Sequence, residues 1–171
     1  MINDSPEGNR MTISEILSEQ HTACYDQDVW FVSLRSALAG VTAEQADWRH
    51  DGLDHSIRET VEHIIFWNER WLQRYRGELN VPQDVENTGT FKASGRDWQQ
   101  TLEKLDAVML EWRQILADIT AEKLVSAVNP QDNSPWWSPL AQQNIHNAYH
   151  VGQIILLRKL QGSWDPSKGV S

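Results

Sequence analysis

Two histidines stand four residues apart in the stretch 144–158, NIHNAYHVGQIILLR, just ahead of an apolar run. They are His146 and His150. In a helix, positions i and i+4 lie one above the other on the same face. Two imidazoles one turn apart can chelate one metal ion, which is what an HxxxH spacing offers chemically. The same periodicity puts Gln143, His146, His150, Gln153, Leu157 and Leu160 on one seam, polar at one end and apolar at the other. The pair is expected to point into the protein. Two readings of it stand: metal chelation, or two polar residues that close the end of a bundle.

The other histidines are candidates of different quality. His63 falls in the second turn of a predicted helix. Thr60, His63, Trp67, Arg70 and Arg74 trace one line along it, and Ile57, Ile64, Trp67, Trp71 and Tyr75 the neighbouring one. His63 therefore borders the apolar stripe, where it either faces inward or keeps one nitrogen in water. His21 reads as an ordinary, partly exposed histidine and as the fourth-ligand candidate of its helix. His50 and His55 flank a turn marked by Asp51-Gly52, and loop histidines are usually solvated. Cys24 is the only cysteine, so neither a disulfide framework nor a CxxC zinc site is present.

Helices must position these groups, and their start and stop signals are clear. TISE from Thr12, TAEQ from Thr42 and SIRE from Ser56 are capping boxes. The first opens a helix expected to run from 12 to about 39, where Gly40 ends it. Asp26, Gln27 and Asp28 interrupt it as a solvated face or a kink. The second box starts a short helix to about Trp48, and the third a long one from 56 to about 77. The stretch 78–93 lacks periodicity and is a long loop. A connection of that length suits a crossover between helices that run in the same direction. The next helix is placed from Ser94, with Asp97 at its third position. Trp98, Leu102, Leu105, Met109, Trp112, Leu116 and Ile119 give it an unbroken core stripe. Thr120 caps a short helix. After the turn-rich 129–135 come Trp136 and Trp137, about two turns from His146, either as a pocket lid or as surface packing. Ser138-Pro139 then starts the last long helix, which runs to Gln161 and is stopped by Gly162 and Pro166.

The whole chain narrows the function classes. Its 171 residues suit a single domain with a real core. A net charge of −9 and a pI near 5.0 argue against phosphate-gripping nucleic-acid binding and against an anionic membrane surface. Nine tryptophans in this length invite a search for an aromatic-lined cavity. The N-terminal MINDSPEGNR has neither the basic start nor the apolar run of a secretory signal, and no apolar stretch approaches a membrane span. A cytoplasmic protein is expected, with 1–11 a loose tail, 12–165 the domain and 166–171 a second tail.

EHIIFWNERW (62–71) and HNAYHVGQIILLRKLQGSW (146–164) resemble the second-helix segment and the C-terminal signature of the DinB-like superfamily. The signature is HxxxH-x-GQI, a trailing Arg, then Gly and Trp. The resemblance implies an all-α four-helix bundle with up-down-down-up order, which the long 78–93 connection also fits. It implies that His63, His146 and His150 form a metal triad, that homodimers are common, and that some relatives are transferases or isomerases using thiols such as bacillithiol or mycothiol.

Two functional hypotheses follow. In the first, a divalent ion, zinc or nickel, held by three imidazoles activates a small thiol or water against an electrophilic small molecule, as an S-transferase or hydrolase would. Trp67, Trp136 and Trp137 are then the aromatic wall of the substrate pocket. Glu62, Gln143, Asn147 and Gln153 are the candidates to receive the free imidazole N–H groups. In the second, the bundle is a non-enzymatic, stress-related binding module. No Ser nucleophile elbow, Gly-rich phosphate loop or defined carboxylate pair accompanies the histidines.

Overall fold

The computed structural model describes residues 11–78, 85–92, 94–129 and 133–168. The expected tail therefore lies outside the described residues up to 10, as do parts of the two loops and the last three residues. The described chain is all-α, with seven helices: α1 (Ile13–Tyr25), α2 (Leu34–Leu38), α3 (Ala43–Asp47), α4 (Ile57–Tyr75), α5 (Trp98–Asp118), α6 (Ala121–Val125) and α7 (Trp137–Leu160). Two 3-10 turns, Asn87–Thr90 and Pro166–Lys168, complete it, and Ala127 and Pro135 form an isolated bridge. No described helix is long and apolar enough to cross a membrane.

The three capping boxes close as expected, with each N-cap hydroxyl accepting from the third helical N–H and that residue reaching back. Three boundaries differ. The first helix does not continue to 39: α1 ends at Tyr25, with Asp26 its C-cap, and α2 starts at Leu34 behind its N-cap Ser33. The Asp28 carboxylate takes the Ser33 N–H at 2.8 Å and its hydroxyl at 2.6 Å, which ties off the break. Asp97 rather than Ser94 caps α5, through a fourth capping box with Gln100. Helix α7 begins one residue before Ser138, so Pro139 is its third residue, where a missing N–H is still harmless.

Helix α1 packs on α5 and α7, and α4 packs on the same two helices from the other side. Between them lies a core that includes Leu17, Tyr25, Ile64, Leu72, Leu105, Met109, Trp112, Leu140 and Ile154. The α5 stripe is buried or packed on this core throughout its length. A polar layer crosses the core: Asn68 donates to Asn147 Oδ1 at 2.9 Å, and Gln143 donates to the same oxygen at 3.4 Å. Arg158, the trailing arginine of the C-terminal signature, donates to the carbonyls of Ala37, Ala39 and Ser163. It thereby satisfies the end of α2, which cannot bond those carbonyls within itself.

Candidate metal centre

Helix α4 brings His63 to the core because Ile57, Val61, Ile64 and Ile65 bury the face around it. His63 is 1% exposed, so the alternative that left one nitrogen in water does not hold. Helix α7 supplies His146 and His150. Its buried face centres on Leu140, Asn147, Val151, Ile154 and Leu157, so His150 is buried and His146 sits half-buried at the edge. The expected seam ends at Leu157, because that offset turns Leu160 out to 45% exposure.

The three rings converge through their Nε2 atoms. His146 Nε2 lies 3.0 Å from His63 Nε2 and 3.0 Å from His150 Nε2. All three ligand atoms lie within 4.8 Å of one another, a set that could hold a metal ion. The outer nitrogens are turned the opposite way: His63 Nδ1 contacts Thr90 Oγ1 at 2.6 Å, and His150 Nδ1 contacts Gln153 Oε1 at 2.6 Å. Gln153 in turn donates from its amide nitrogen to the Tyr149 hydroxyl at 3.1 Å. Among the described residues, His146 Nδ1 is buried without a partner.

Burial holds all three imidazoles in the neutral form that a metal needs. It pushes the His63 pKa down to about 3, helped by its neighbours His150, His146 and His55, and that of His146 down to about 4, helped by His150. His150 is lowered by burial too, against the opposing effect of Gln153. Neutral rings whose outer nitrogens face oxygen atoms present lone pairs inward, and lone pairs brought this close suit a cation between them. The donor set thus fits a divalent ion.

The remaining candidates divide. Of the expected N–H acceptors, Gln153 touches the triad. Glu62 turns the other way and receives the hydroxyls of Ser94 at 2.7 Å and Thr101 at 2.9 Å, together with Arg96. Gln143 and Asn147 spend their amides on the polar layer with Asn68. His21 is neither partly exposed nor a ligand: it is 2% exposed, and its Nε2 pairs with the Met109 carbonyl at 2.9 Å. His50 stands against Trp48 and lies outside the metal-capable group. His55 also lies outside it, yet it stacks on Phe91, which stacks on His63.

A cavity of about 320 Å³ opens beside His146, lined by Trp67, Trp71, Asn87, Pro139, Gln142 and Gln143. Trp67 lines this cavity. Trp136 does not: its ring is buried edge-on against Trp71 and Tyr75. Trp137 is 43% exposed and does not line the cavity either. Trp71 lines the cavity together with Trp67. Thr90 and Phe91 escaped sequence reasoning altogether, since NTGT (87–90) carries turn chemistry and nothing that points to a histidine.

Among curated proteins the chain finds no match. The sequence model of the DinB superfamily matches residues 28–154, well over half of the chain. The match spans α2 to most of α7, including His63, His146 and His150, and leaves α1 outside. With His63, His146 and His150 all inside that match, the chain belongs to the DinB superfamily.

Proposed function

We propose that this protein is a metal-dependent enzyme in which His63, His146 and His150 hold one divalent ion, zinc or nickel, and act on an electrophilic small molecule. The observation that carries this is the convergence of three Nε2 atoms from two helices within 4.8 Å. Three protein nitrogens describe a catalytic rather than a structural donor set. When bound, such an ion supplies Lewis-acid activation of water or of a small thiol, for hydrolysis or S-transfer. The chain's own residues do the rest. Gln153 and Thr90 orient two of the rings, and burial keeps all three uncharged at neutral pH. Trp67 and Trp71 offer a flat apolar wall next to His146, and Asn87, Gln142 and Gln143 supply neutral polar groups for orienting a substrate.

The test is elemental analysis of protein purified without a metal-scavenging tag. One zinc or nickel per chain is expected, and its loss in His63→Ala. Full metal affinity in that variant would sink the assignment. A screen of thiols with electrophiles on the loaded protein follows.

A second reading is a non-enzymatic, stress-related module whose histidines bind metal without turnover. It is favoured by the cavity lining, which among the described residues has no carboxylate, hydroxyl or thiol. Absence of turnover with every thiol and electrophile pair, despite full metal loading, would decide for it.

Two further features belong to the same reading. We take the domain to be 12–165 and its long helices to run up-down-down-up. Contacts between α4 and α5 rise together, Glu62 with Thr101, Glu69 with Lys104 and Arg76 with Glu111, as parallel neighbours require. Those between α4 and α7 run in opposite order, His63 near His150 and Tyr75 near Trp136. Those between α1 and α5 do the same, His21 with Met109 and Tyr25 with Asp106. We also take the protein to be a homodimer. Trp30 is 91% exposed and Ile145 67%, and both border a groove of about 670 Å³ between α1 and α7. Among the described residues Glu19 is the only charged one in its lining, so two copies meeting there bring just one pair of like charges into the contact.

A further inference from the structure

The connection between α4 and α5 returns to the triad and fastens there. Thr90 is 6% exposed and His63 1%, so water does not compete for their contact. The Thr90 hydroxyl gives its single proton to the Asn87 carbonyl at 2.6 Å. Its oxygen therefore accepts from His63 Nδ1–H at 2.6 Å. That places the hydrogen on Nδ1 and leaves Nε2 with its lone pair toward His146. The next residue reinforces the contact. Phe91 lies parallel to His63 at 3.8 Å and 11°, and His55 covers its other face at 3.8 Å and 5°. Further along, Ser94 and Arg96 are held by Glu62, the residue before His63. The loop is thus tied to α4 on both sides of Phe91. The other locked ring, His150, takes its partner from its own helix, three residues on.

We infer that Thr90 is a positioning residue of the metal centre: it commits His63 to the tautomer that can bind a cation, so that closure of this loop on α4 and occupancy of the triad stabilise each other. The inference rests on the metal reading of the three histidines. Linkage makes the effect reciprocal, since whatever the closed loop adds to metal affinity the metal adds to loop closure.

The experiment titrates zinc into the chelator-stripped full chain against a competing chromophoric chelator. Thr90→Val keeps the side-chain shape but removes the acceptor. It should weaken zinc binding about 10- to 100-fold with unchanged far-UV circular dichroism of the metal-free protein. Thr90→Ser should return the affinity to near the wild-type value. Amide hydrogen exchange over 85–92 should slow when zinc is added to the wild type. Should Thr90→Val fail to fold, that wild-type exchange experiment decides alone. Equal zinc affinity in wild type and Thr90→Val, or exchange over 85–92 that zinc leaves unchanged, overturns this inference while leaving the triad intact. A wild-type chain that takes up no zinc overturns the metal reading and the inference with it.

Discussion

His21 offers a quantitative test of the core that carries the triad. Its ring is buried where α1 meets α5, and burial above all pushes its pKa from 6.5 down to about 4. Nearby Arg113 lowers it further, while the Met109 carbonyl and Asp26 oppose. Between those two values the unfolded chain binds a proton that the folded chain refuses. The contribution is therefore complete above pH 6.5 and is lost as the pH falls toward 4. From pH 7 to pH 5 it amounts to roughly 2 kcal/mol for this one group. The perturbation is His21→Gln, whose amide can still donate to the Met109 carbonyl but does not titrate. The assay is urea unfolding of chelator-treated wild type and variant at both pH values. The triad histidines destabilise both chains alike in acid, so the difference between the two pH slopes isolates His21. The wild type should lose about 2 kcal/mol more than the variant. Equal losses would refute the argument, since they would mean that His21 titrates as it does in the unfolded chain.

Other perturbations address the site and its supports. Zinc at a hundredfold excess over its Kd should stabilise the wild type by about 2.7 kcal/mol, a Tm rise of about 5–11 °C for a chain of this size. Scanning calorimetry should find that rise abolished in His63→Ala, His146→Ala and His150→Ala alike, and a rise that survives in any one of them would remove that residue from the ligand set. Glu62→Ala strips the acceptor from Ser94, Thr101 and Arg96, at a cost of about 2–4 kcal/mol in urea unfolding, with Glu62→Gln recovering part of it. A loss below 0.5 kcal/mol, the range of ordinary surface substitutions, would show that this buried network does not hold the loop. Trp30→Asp should convert the proposed dimer to a monomer in sedimentation velocity without changing the metal content. An unchanged sedimentation coefficient would place the contact elsewhere or show that the wild type is already a monomer.

Much of the scaffold is written in short-range order. Thr12, Thr42 and Ser56 announce their helices because a capping box joins residues three apart, and that geometry is local. The α5 stripe from Trp98 to Ile119 and the His146–His150 spacing are legible for the same reason, since a helix converts sequence spacing into a face. The errors fall where a local signal meets a competing contact. Asp28 could not be recognised as the clamp that breaks the first helix, because its bond to Ser33 exists only once the chain has turned. The side on which Trp136 packs likewise depended on Trp71 and Tyr75 from another helix.

The sequence by itself determined that this chain is helical, that one helix stacks two imidazoles, and that the motifs around them are those of the DinB superfamily. Only the tertiary structure decided that His63 faces those two rings and that Gln153, not Glu62, receives a ligand N–H. It also decided that Thr90 reaches His63 from 27 residues away. The physical reason is range. Hydrogen bonds within one or two helical turns repeat with the helix period and leave a pattern in the sequence. A contact between a loop oxygen and a ring nitrogen has no period, and it is fixed by how α4, α5 and α7 pack.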